Sequence, residues 1–158
     1  MTYMDLVEAI AEKIAGLWPE RTLYRDFCPV NFCRPSGFLH VDEVGYTDAA
    51  LGLVEWNILL RLELYASTDA YHVESSEELR RDQEAVLNLF GGPSLAVGDR
   101  HIVVNVAADA PGPGEAYVSL TASWMDIRPG YQDPEDPGQG PGGVPMMEQF
   151  EVNVSGKE

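Results

Sequence analysis

Basic residues are scarce in this chain. Against 26 aspartates and glutamates it carries 10 lysines and arginines, a formal charge of −16 over 158 residues. Such a surface repels phosphate, which argues against a sequence-specific DNA or RNA binder. Cysteine is scarcer still: Cys28 and Cys33 are too few for a disulfide framework, and the default is a reducing cytosol with both thiols free. No long hydrophobic run occurs either. The opening stretch MTYMDLVEAIAEKIAGLW sets Asp5, Glu8 and Glu12 among its apolar positions and has no basic leader, so it reads as neither a signal peptide nor a membrane span. The nucleotide-cradling patterns G-x-x-x-x-G-K-[ST] and G-x-G-x-x-G are missing from every strand-to-helix turn, so a nucleotide enzyme is not expected.

What is present is a strong period of two. Val54, Trp56, Ile58, Leu60, Leu62 and Leu64 alternate with a mostly polar set that includes Glu55, Asn57, Arg61 and Glu63. Strands repeat at two residues and helices near 3.6, so this run predicts a long β-strand with one dry face. The polar face is interrupted by Leu53, Leu59 and Tyr65. Large apolar groups there have two readings: ordinary scattered exposure, or a contact with a second layer or a neighbouring copy.

The remaining elements follow from caps and breakers. Thr2 and Asp5 form a capping-box pattern, and Tyr3, Val7, Ile10, Ile14 and Leu17 recur at helical spacing until Pro19, predicting a helix over 3–17. A short strand is expected at Thr22–Phe27 and another at Phe38–Val44, with Gly45–Gly52 as the loop of a long hairpin. Ser75 and Glu78 open a second helix that Gly91, Gly92 and Pro93 close. Leu95–Val97, His101–Val106 and Ala116–Met125 read as strands, the last two as a hairpin across the surface loop Ala108–Glu115. The run from Arg128 to Val144 (RPGYQDPEDPGQGPGGV) cannot form a hydrophobic face and reads as a linker. After it Met146, Phe150, Val152 and Val154 share even positions, as in a last strand or arm.

The expectation is therefore an α+β domain over 1–127. Its mainly antiparallel sheet has about four to six strands, with two helices on one face and a long hairpin. A Pro/Gly-rich acidic linker follows over 128–145, then a C-terminal arm over 146–158.

Candidate chemistry is sparse. Cys28 and Cys33 stand four residues apart with His40 seven further on, donors that zinc accepts, yet no second ligand pair follows. The thiols read better as small apolar residues, and no metal or cofactor is expected. His40, His72 and His101 are scattered and lie in no catalytic motif, so no Cys–His enzyme is indicated. Asp133, Glu135 and Asp136 lack the calcium-loop pattern and read as solvation of the linker.

Several stretches resemble the tail terminator (tail completion) proteins of bacteriophages and prophages of Gram-positive hosts. The helix MDLVEAIAEKIAGLWPE followed by TLYRDFCPVNFCRPSGFLHV is similar to that family's opening: a helix ending in an aromatic-Pro pair, an aliphatic-Tyr strand, and a Pro-Ser element before an apolar strand. Met146–Phe150 is similar to its closing stretch, whereas Gly45–Gly52 and the linker depart from it. The resemblance implies a non-enzymatic virion protein. It would form a ring of roughly six copies at the head-proximal end of the tail, after assembly in the host cytoplasm. Its partners would be the tail tube protein, a sheath where there is one, and the head connector, with no membrane and no specific nucleic acid. At −16 per copy, a lumen lined by such rings would repel passing DNA. The interface residues expected are Leu53, Leu59, Tyr65, Met146, Phe150, Val152 and Val154. The alternatives are a head-tail connector or stopper and, in another class, a cytosolic binding module or small enzyme built on Cys28, Cys33 and His40.

Overall fold

The computed structural model describes residues 1–69 and 74–131. In chain order these form α1 (Tyr3–Leu17), β1 (Thr22–Arg25), β2 (Ser36–Ala50), β3 (Leu53–Tyr65), α2 (Ser76–Leu89), β4 (Leu95–Val97), β5 (Arg100–Ile102), β6 (Val104–Ala108) and β7 (Glu115–Ile127). A five-stranded sheet runs β1-β2-β3-β7-β6, and β4 and β5 make a separate two-stranded ribbon. β1 lies parallel to β2, and every other neighbouring pair is antiparallel. The α+β class is as expected. The arm over 146–158 and most of the linker lie outside the described residues.

Local chemistry explains the helices. Asp5 N–H donates to Thr2 Oγ1 while Thr2 N–H donates to Asp5 Oδ2, at 3.3 and 2.7 Å, closing the capping box of α1. The α2 cap is half of one: Glu78 N–H donates to Ser75 Oγ, but the Glu78 carboxylate turns away to accept from the Ser67 backbone and hydroxyl and to meet Arg21. Arg21 also pairs with Asp82, whose side chain is 8% exposed, so one guanidinium ties the end of α1 to α2. Burial pushes the Asp82 carboxyl above its ordinary value, against the pull of Arg21. Gln83 Nε2 donates to Asp109 O and Tyr117 O at 2.7 and 2.9 Å, pinning α2 to the β6–β7 connection.

Both helices press on one face of the sheet. Leu6, Ile10 and Ile14 of α1 and Leu79 and Val86 of α2 meet Ile58, Leu60, Leu62 and Leu64 of β3 and Val118 and Leu120 of β7 in a single core. Each fully buried leucine contributes about 2 kcal/mol of transfer free energy. The even-numbered positions of β3 thus form the dry face their alternation predicts, with Trp56 only half-buried between Tyr46 and Trp124.

Four boundaries differ from the sequence reading. The Gly45–Gly52 stretch is not a loop: β2 continues to Ala50, and the reversal occurs at Leu51 and Gly52. Bulges at Asp42 and near Asp48 absorb residues that do not fit a regular pleat, and the turn is tight because Gly52 adopts φ +80°. The Thr22–Phe27 strand stops at Arg25, since Asp26 takes φ 59° and turns the chain out of the sheet. The His101–Val106 strand is two strands in two sheets, Arg100–Ile102 pairing with β4 and Val104–Ala108 with β7. Finally, Arg128–Tyr131 belongs to the fold. Arg128 N–H donates to Gly52 O, and the Tyr131 ring stands where a Cβ on Gly52 would lie 2.6 Å away.

Candidate functional site

The second face of the sheet carries no helix among the described residues. Side chains on it come from odd positions of β3 and β7 and, because of the Asp42 bulge, from a shifted set on β2. Its proximal end is roofed by the loop between β1 and β2. The Phe32 ring lies 4.2 Å from that of Tyr65, and Arg34 sits over both rings.

A charged network spans the middle. Tyr65 Oη donates to Glu63 Oε2 at 2.6 Å, and His40 stands between Glu63 (Nε2, 3.2 Å) and Asp42 (Nδ1, 3.0 Å). Arg61 Nε lies 2.9 Å from Asp42 Oδ2, an ion contact whose direction is poor for a hydrogen bond, and the guanidinium rests 5.8 Å from the Tyr117 ring centre. Burial and then Glu63 push the Tyr65 phenol far above its ordinary value, and a bond to Glu115 followed by burial pushes Tyr117 up to about 12. Both rings are therefore donors throughout the physiological range. Burial also raises the Cys28 thiol, the reverse of the shift that activates a nucleophile. No group of three or more His, Cys, Asp or Glu side chains among the described residues is arranged to hold a metal ion.

Toward the hairpin tip the face hollows into a trough of about 460 Å³ lined by Glu43, Thr47, Asn57, Leu59, Asn105, Thr121 and Ser123 among others. The extra residue at the Asp42 bulge bends β2 and makes this concavity. Beyond the trough Leu53 and Ile127 pair across β3 and β7, and Glu55 pairs with Met125. Leu51, Leu53, Met125 and Ile127 are 92, 41, 56 and 64% exposed, a cluster of large apolar groups at one end of the molecule. Polar contacts tie that end together: Arg128 with Asp48 at 2.7 Å, and Arg100 donating to Met125 O at 2.9 Å, which occupies the β7 edge beyond the reach of β6.

Of the residues expected at an interface, Leu53 and Leu59 lie on this face, Leu59 half-buried in the trough floor. Tyr65 shares the face but is 7% exposed beneath Phe32, so its role is inside the subunit. Met146, Phe150, Val152 and Val154 lie outside the described residues. Met125 and Ile127 went unread as surface groups, although continuing the period of two from Tyr117 past Met125 places both opposite the dry face. Phe27 and Val30, 74 and 102% exposed on the roofing loop, carry no periodic signal at all.

No protein-family model matches this chain, and no curated protein does. Among the solved structures that match, a protein chain superposes at a TM-score of 0.46 with 10% sequence identity, over 84% of this chain and 99% of its own. A likeness of that size carries nothing about function.

Proposed function

We propose that this chain is a ring-forming structural subunit of a bacteriophage or prophage tail, a tail terminator. It caps the tube at its head-proximal end, stops its polymerisation and presents a surface to the head connector. The observation that carries this reading is the distal half of the sheet, whose second face no helix covers among the described residues. Leu53, Met125 and Ile127 stand exposed there beside a preformed trough on the hairpin. An exposed apolar cluster supports a role in recognition between proteins. Closed rings are built from heterologous contacts of this kind, in which one patch meets a different patch on the next copy. The acidity of the chain supports it too, because a ring that DNA threads through works best when its wall does not bind phosphate.

The test is to express the chain with a tail tube protein from the same genome, should that genome carry one, and to image the tubes by electron microscopy. The reading expects tubes of bounded length with extra ring density at one end, and unbounded tubes when the chain is left out. Equal length distributions with and without the chain, and no co-purification with tubes, would overturn it.

A further inference from the structure

The loop that roofs the proximal end of the open face is itself an exposed, preorganised knob. Phe32 stacks on Tyr65, Cys33 N–H donates to Tyr24 Oη at 3.0 Å, and Asp26 N–H donates to Leu39 O, so the loop is fixed in place. At its crest Phe27 and Val30 are 74 and 102% exposed. Arg34, on the same loop, donates to the Ala66 and Gly114 carbonyls and has no carboxylate within ion-pair reach among the described residues. The trough at the other end has the opposite character. It is concave, it has Leu59 in its lining, and Glu43 and Glu55 beside it have no cationic partner among the described residues. The convex knob matches the concave trough, its apolar crest has Leu59 and the Met125–Ile127 rim to meet, and Arg34, set apart from Asp26 at the other end of the loop, offers a cation to Glu43 and Glu55.

They cannot meet within one molecule. Along β3 the trough residue Leu59 is six positions from Tyr65, and Leu53 is twelve. At about 3.3 Å per residue those separations are roughly 20 and 40 Å.

Resting on the ring reading above, we propose that the Asp26–Pro35 loop of one copy seats in the distal trough of the next. Val30 and Phe27 pack against Leu59 and the Met125–Ile127 rim, and Arg34 approaches Glu43 and Glu55. Because the loop is already ordered, little conformational entropy is lost on docking, which lets a modest surface suffice.

Two knock-out variants test the pairing: Val30→Asp removes the knob and Ile127→Asp removes the rim. Both sites are exposed, so circular dichroism should show native folds, and Leu53→Asp serves as a second rim variant. Sedimentation of the wild type should show association, weakened at least about 30-fold by each variant alone, as loss of a hot spot does. Mixing Val30→Asp with Ile127→Asp should restore one good contact and yield a 1:1 complex that grows no further. Variants that associate like the wild type, or a mixture without a 1:1 complex, overturn the pairing and leave the ring reading standing. A wild type that stops at two copies while both variants fail keeps the pairing and overturns the ring. A chain that stays monomeric up to about 1 mM, the weak limit of useful affinity, both alone and with tube fragments, overturns both.

Discussion

Leu53 and Ile127 stand directly opposite each other across the β3–β7 pairing, on the face that no helix covers among the described residues, and both are exposed. One residue along, Val54 is fully buried. A strand of period two thus separates two functions: even positions hold the fold together and odd positions face outward.

That separation predicts opposite outcomes for two leucines of the same strand. Leu60→Ala should cost about 2 to 5 kcal/mol, since it opens a cavity between sheet and helices. Leu53→Ser should change stability by less than about 0.5 kcal/mol. Urea denaturation of the two variants at a concentration where the chain is monomeric measures both. A loss above about 2 kcal/mol for Leu53→Ser would mean that its side chain is part of the core.

Arg21 is the cation on which two partly buried carboxylates depend. Arg21→Met should destabilise the chain by about 3 kcal/mol near neutral pH, because Glu78 and Asp82 lose their partner. The pH dependence has a definite sign. Asp82 is already held above its ordinary value by burial, and without Arg21 it rises further. A carboxyl whose folded value is raised favours the fold below its unfolded value and loses that contribution as pH rises through the folded one. The deficit of the variant should therefore be largest near neutrality and shrink on acidification. Thermal melts of both chains between pH 7 and pH 4.5 follow it, and a deficit that grows toward acid would contradict the assignment.

Gly52 closes the hairpin at φ +80° with the Tyr131 ring against its α-carbon. Gly52→Ala should cost about 1 to 2 kcal/mol, since it combines a strained backbone with displacement of the ring. Hydrogen exchange of the wild type and variant would localise the effect. Faster exchange confined to Ala50–Leu53 and the segment after Ile127 is expected, with the β3–β7 core unchanged.

Tyr65 is read as a structural residue of the subunit rather than a contact. Tyr65→Phe should cost about 1 to 3 kcal/mol through loss of the bond to the Glu63 carboxylate, and should leave association of the folded chain unaltered. Equilibrium unfolding and sedimentation separate the two effects.

The fold was legible wherever one local rule dominated. The capping pattern at Thr2 and the alternation along β3 each place an element to within about two residues. The reading failed where tertiary context decides. Gly45 and Asp48 have weak strand preference, yet pairing with β3 extends β2 through both of them, with bulges taking up the mismatch. Val103 looks like the middle of one strand, but the chain passes from the β4–β5 ribbon to the main sheet at that point. At the candidate site, Leu53 and Leu59 were legible as apolar breaks in a polar face. The trough was not, because its concavity comes from one bulge and from Thr121 and Ser123, which look ordinary in sequence. Exposure of Phe27 and Val30 follows from the turn at Asp26, whose positive φ no pattern announces.

The central claim is that copies of this chain join head to tail into a closed ring on a tail tube. Native mass spectrometry of the chain mixed with tube fragments tests it most directly. One dominant species is expected, a fixed small number of 17.4-kDa copies, that persists as protein is added and is absent from the Val30→Asp and Ile127→Asp variants. A monomer at every concentration and with every tube preparation, or an open-ended ladder of ever longer oligomers, would contradict it.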